Sequence, residues 1–327
     1  MQLDNMLLQA CKNNKKSVAQ TFLKRGGVDV NKRDESGNTP LIYACMKNAR
    51  DLVKMLLDNG ADVNLGNQRD RMPLHFAAET GSFEIIALLI GAGAEVNCAD
   101  MNGITPLMVM ARQGKTDAAL KFIQNPDVDI KRKDNDNHMA VDYATSSGLR
   151  ELVKALSQTE EGHTDAYGNT TLHHACWDEQ GEVVKVLLQK EKESVNKLND
   201  EGESPLMLAV KRSNLVITEL LLDAGAMADC ADLKGVMPLH IAAGNGDLFV
   251  AKALIGAGAG INVRTVEGRT PLILAAKRGR NDLTAMLIET GADVNAVDNQ
   301  QHSALYYAAE AGFTEIVEQL LMAGAEN

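Results

Sequence analysis

Large rings are nearly missing from this chain of 327 residues, which holds one Trp, five Tyr and six Phe. A thick core packed around aromatics is thereby excluded, and the abundance of Ala, Leu and Gly suits a thin interior of small helices in close approach, as in stacked repeats. Cationic excess is missing too. The 44 Asp and Glu outweigh 33 Lys and Arg, leaving a formal net charge of −11, so bulk binding of nucleic acid is not expected. No apolar run approaches the roughly 20 residues of a bilayer span; stretches such as 87–94 are far shorter. The opening MQLDNMLLQACKNNKK lacks the basic-then-apolar order of a secretory leader. An intracellular, cytoplasmic location is expected, with the nucleus left open. The five cysteines, Cys11, Cys45, Cys98, Cys176 and Cys230, are odd in number and widely spread. They form neither a disulfide framework nor paired metal ligands, and read as reduced thiols.

Proline is scarce as well, with seven residues, but its placement is ordered. Pro40, Pro73 and Pro106, then Pro205, Pro238 and Pro271, stand 33 residues apart within each group. A Gly-Ala pair recurs at Gly60, Gly93, Gly225, Gly258, Gly291 and Gly324 in phase with them. Each unit reads as two short helices. The pairs Thr39-Pro40, Thr105-Pro106, Ser204-Pro205 and Thr270-Pro271 place a hydroxyl at an N-cap and proline at the first helical position, where no N–H is needed. Small residues such as Ala77-Ala78 and Ala242-Ala243 follow, then a helix-breaking glycine such as Gly81 or Gly246. The second helix carries one apolar face, for example Leu52, Val53, Leu56 and Leu57, and stops at the Gly of Gly-Ala.

These unit starts, TPLIYA, MPLHFAA, TPLMVMA, TTLHHAC, SPLMLAV, MPLHIAA, TPLILAA and SALYYAA, with NGADVN, GAGAEVN and TGADVN between them, resemble ankyrin repeats over essentially the whole chain. The resemblance implies an all-α repeat, an α-solenoid of about ten stacked helix-turn-helix units with β-hairpin finger loops. It implies a single repeat domain over 1–327, with an N-terminal capping repeat at 1–30, internal repeats over 31–302 and a C-terminal capping repeat at 303–327. Near 121–165 the lattice fails: Lys121 stands at an apolar position, Pro126 sits in the connection, a unit starts HMAVDYA, and SQTEEGH replaces Gly-Ala. Tolerated drift and a seam in the stack both fit. Finger asparagines Asn64, Asn97, Asn262 and Asn295 are, by the same resemblance, of the kind hydroxylated in animal cells.

Candidates for chemistry have structural readings. The run Gly256 to Gly260 closes a helix, whereas a dinucleotide turn opens one after a strand. His75, His173 and His240 recur at one repeat position, which predicts a bond to the neighbouring connection. His173 and His174 beside Cys176 point about 100° apart on a helix, and no second ligand pair follows, so no metal and no cofactor are assigned. Asp34, Asp100, Asp165 and Asp298 repeat at one finger position, as a structural role predicts, while a catalytic pair would be singular and enclosed. No catalytic residue is assigned, and an enzyme is not the reading.

Function is then expected at the variable positions. Counted from the proline, the third residue on forms a stripe that includes Tyr43 and Phe76, open either to a partner or to packing against the fingers. The sixth and seventh read Lys211-Arg212 and Lys277-Arg278 on either side of Gly244-Asn245, with Arg264 and Arg269 in the next finger. That cationic wall suits an acidic or phosphorylated peptide, although offset by nearby Glu is the alternative. Trp177 lies in the same column, with Tyr167 on the finger before it, and such rings anchor interfaces. The expected function is a non-enzymatic scaffold or adaptor, a monomer on its own, that binds a protein or peptide on the concave face that the resemblance implies. A structural subunit of a larger assembly, or a regulatory or inhibitory subunit capping an enzyme, are the other readings.

Overall fold

The computed structural model describes residues 2–157, 163–190 and 192–326. Among them are twenty α-helices in ten pairs and one 3₁₀ turn, Lys192–Asn196. Two compact bodies are formed, 1–159 and 160–327, each with five helix pairs. No helix among the described residues is long and apolar enough to cross a membrane.

Local chemistry starts six of the first helices as the repeat pattern predicts. Thr39, Thr105, Thr170, Ser204, Thr270 and Ser303 accept from the backbone N–H three residues on, satisfying a donor that the first turn leaves orphaned. The second helices bury one face, such as Leu52, Val53 and Leu56, and leave Leu57 half-buried. At Gly93, φ is +90° and nothing lies where a Cβ would stand. Glycine is needed there for conformation alone, so that Ala94 N–H can reach back to the Leu89 carbonyl at 3.0 Å.

Neighbouring units are joined by side chains that bond in two directions. Asn64 Nδ2 donates to the Gly93 carbonyl at 3.0 Å while its Oδ1 accepts from Glu95 N–H at 2.9 Å. Asn31, Asn196, Asn262 and Asn295 repeat the same pair of bonds. Asn97 reaches the Asp127 carbonyl and Asp129 N–H, one residue further along than its equivalents, so the joint survives the irregular connection around Pro126. The histidines make a second joint. His75 Nδ1 accepts from Met72 N–H at 3.0 Å and Nε2 donates to the Ile104 carbonyl at 2.9 Å. His173 and His240 bond Glu203 and Arg269 carbonyls in the same way, as their recurrence predicts.

The fingers are turns rather than strands, and the one β-bridge among the described residues is Val297 with Ser303. Their backbone groups are occupied within the loop, where Asp34 accepts from Ser36 and Asn38 N–H, and Asp100, Asp165 and Asp298 do likewise. Successive tips are tied by backbone bonds, Gln68 N–H to Ser36 and Met101 to Arg69 in the first body, Leu233 to Glu201 and Val266 to Lys234 in the second. In the irregular stretch Lys121 stays exposed with its ammonium 5.3 Å from the Phe83 ring centre. The SQTEEGH segment lies mostly outside the described residues.

Asn262→Ala removes both bonds to the following unit and is expected to cost about 1–2 kcal/mol, read as a lower urea midpoint with the helix content of the native state unchanged. Burial holds the His173 imidazole down at about 4, against an ordinary 6.5. Between these values the unfolded chain takes up the proton and the folded one does not, so stability present above pH 6.5 is lost as pH falls towards 4. The loss is on the order of 2–3 kcal/mol for this group, and urea unfolding followed across that range should fall less steeply for His173→Gln than for the natural chain.

Candidate functional site

Exposure separates the variable columns. The sixth and seventh positions after the proline face solvent at Met46, Lys47, Trp177, Lys211, Arg212, Lys277 and Arg278. The third position is mostly interior. Tyr43 is 6% exposed and its hydroxyl donates to Asp34 at 2.5 Å, while Phe76 is 4% exposed beneath the Arg71 guanidinium, which pairs with Glu79. Tyr143 and Tyr307 make the same bond to Asp134 and Asp298. The stripe thus closes several units onto their own fingers, with half-buried Ile241 and Leu274 among its more open members.

The basic pairs differ in what surrounds them. Lys211 pairs with Glu203, a carboxylate that is itself buried, and Arg212 reaches Glu179 at 2.7 Å. In the next finger Arg264 donates to the Val297 carbonyl and Arg269 pairs with Glu267. Lys277 and Arg278 have no carboxylate at ion-pair distance among the described residues. The Lys277 ammonium lies 4.4 Å from the Tyr307 ring centre, and the Arg278 guanidinium lies across Gly244, 2.7 Å from where a Cβ would stand. Gly244 therefore makes the bed in which that guanidinium rests.

Beside it runs a groove of about 720 Å³ between helices Pro238–Asn245 and Pro271–Lys277 and their two fingers. Ile241 and Leu274 line its apolar part, and Arg278, Arg269 and Lys234 bring positive charge to it. Leu233 and Val266 on its rim are 75% and 69% exposed, although both are aliphatic. They share a fingertip position with exposed Met101 of the first body, one residue before the position that Tyr167 occupies in its own finger. Tyr167, also exposed, is legible as an isolated ring; the aliphatic pair is found only when the fingertip column is aligned unit by unit. Trp177 is 48% exposed, and the Arg212 guanidinium lies 5.4 Å from its ring centre.

Groups with reactive chemistry are committed elsewhere. Cys11, Cys45 and Cys176 fill the small-residue slot of their helices, and burial pushes the Cys45 and Cys176 thiols far up and that of Cys11 to about 12. His174 faces Asp165 at 3.1 Å, and burial lowers His75 and His240 as it does His173.

The family described as ankyrin repeats (3 copies) matches residues 4–67, 74–165, 107–197, 142–234, 172–265 and 239–327. The chain belongs to the ankyrin-repeat family, whose repeats generally mediate protein–protein interaction. No individual curated protein matches it.

Trp177→Ala removes a half-exposed ring with one cationic neighbour, so a stability loss below about 1 kcal/mol is expected, measured by thermal unfolding. A loss of about 3 kcal/mol or more, the scale of a buried Trp, would place the ring in the core instead.

Proposed function

We propose that the protein is a non-enzymatic adaptor that holds an extended, acidic or phosphorylated segment of a partner protein against the first helices and fingers of residues 160–327. The observation that carries this reading is the pair Lys277 and Arg278, uncompensated among the described residues and set beside an apolar groove. An acidic residue supplies the missing countercharge there, and an adjacent apolar side chain fills the groove between Ile241 and Leu274.

Lys211 and Arg212, already paired with Glu203 and Glu179, contribute less to charge recognition. Arg212 instead steadies Trp177, which with Tyr167 supplies an aromatic anchor. Tyr43 and Phe76, closed inside their units, take no part. From the unit of Trp177 to that of Lys277 is three unit spacings of about 8–10 Å each by ordinary helix packing, which an extended chain covers in about eight or nine residues. The burial of the thiols and the structural use of His75, His173 and His240 support a role without catalysis.

The test uses a fluorescein-labelled nonapeptide of alternating Glu and Leu, and its phosphoserine counterpart, titrated by anisotropy. Lys277→Glu with Arg278→Glu should weaken binding at least about tenfold, Trp177→Ala by about 2 kcal/mol, and affinity should fall steeply as salt rises. Binding indifferent to the double charge reversal would remove the reading.

A further inference from the structure

The second helix of each unit begins with a turn whose orphaned N–H groups favour a negative charge. Its second residue is Asp51, Glu84, Asp117 and Glu151 in the first body, and Glu182, Asp282 and Glu315 in the second. The first unit has Ser17 there, and two adjacent inner units break this column with Val216 and Phe249, which are 62% and 69% exposed. In both of these inner units the N-cap residue is polar. Asn214 accepts from Ile217 N–H, and Asp247, two residues before Phe249, accepts from Ser213 Oγ without a cap bond of its own. The first of these helices is thus capped by other means, and in both the outward position carries an apolar side chain.

Helices Leu215–Asp223 and Leu248–Gly256 pack side by side, so Val216 and Phe249 stand one helix spacing apart, about 10 Å. Half-buried Leu220 and Ala253, four residues further along, share their faces and extend the patch. Exposed Glu219, Asp223 and Asp282 surround it, Glu182 pairs with Lys185, and the helix of Phe249 carries one cation, Lys252. A second copy of the same patch would bring like charges together.

We propose that this patch is a second docking surface, for an amphipathic helix of a partner protein whose apolar stripe is flanked by Lys and Arg. Its apolar residues at three- and four-residue spacing cover Val216, Leu220 and Phe249, and its cations meet Glu219, Asp223 and Asp282. The surface lies on the second helices, apart from the groove between first helices and fingers, and the inference stands whether or not that groove binds an acidic segment.

The test titrates the full chain against a fluorescein-labelled, stapled Leu/Lys helical peptide with leucines at i, i+3, i+4 and i+7, and against the same composition scrambled. Val216→Glu with Phe249→Glu restores the acidic column and is expected to keep circular dichroism and melting unchanged. It should weaken the stapled peptide at least about tenfold, while Lys277→Glu with Arg278→Glu leaves its affinity unreduced. Nonspecific attraction to an acidic chain predicts the opposite sign, because Val216→Glu and Phe249→Glu add negative charge. Equal or tighter binding to that variant, equal binding of the scrambled peptide, or no binding to the natural chain would overturn the proposal. So would a concentration-dependent dimer in sedimentation that the variant abolishes, since the patch would then serve self-association. If the Glu pair lowers the melting temperature, Val216→Ser with Phe249→Ser is measured in its place, and retained affinity there overturns the proposal.

Discussion

The fold depends on a carboxamide that donates and accepts at once. Asn64, Asn262 and their equivalents give an N–H to a carbonyl at the end of the next unit's second helix and take one from the backbone two residues beyond. That double bond fixes both the distance and the rotation of one unit on the next, where an apolar contact alone leaves sliding open. The chain itself shows why the amide matters. At Asp229 the carboxylate accepts from Gly260 N–H and has no proton to offer the Gly258 carbonyl, so that joint is made with acceptor bonds alone. The imidazoles of His75, His173 and His240 add a parallel joint that requires the neutral ring, because Nδ1 must accept while Nε2 donates.

Once the joints are made by these few positions, other positions are released for recognition. Gly244 leaves room for a guanidinium beside a groove, and the N-cap residue Asn214 caps a helix whose usual acidic position is held by exposed Val216. The second body thereby offers two chemically opposite surfaces, one cationic on its first helices and fingers, one apolar with an acidic surround on its second helices.

Periodicity makes most of the architecture legible. The hydroxyl N-caps, the glycines that end helices, the histidine bonds and the finger carboxylates all follow from recurrence at one position, because a role repeated in every unit is a role in the stacking. What recurrence conceals is what a given copy does differently. Glu203 and Glu179, which neutralise Lys211 and Arg212, lie eight residues before and 33 residues before their partners, and neither spacing marks a pair in one helix. The apolar character of Tyr43 and Phe76 is plain in the sequence, but Asp34 and Arg71 reach over them from the fingers. The outer patch is present in the sequence as a break in an acidic column, visible only once second helices are aligned by their first turns.

Trp177 is the chain's one indole, and the guanidinium of the following unit lies 5.4 Å from its ring centre. Its ultraviolet emission therefore reports on a single junction, between the helix pair that bears it and the next. The far-ultraviolet ellipticity, by contrast, sums over all the helices of the array. An array held by nearest-neighbour joints need not melt in one step, so these two optical signals act as a local and a global clock. Any lag between them measures how far cooperativity extends from that junction.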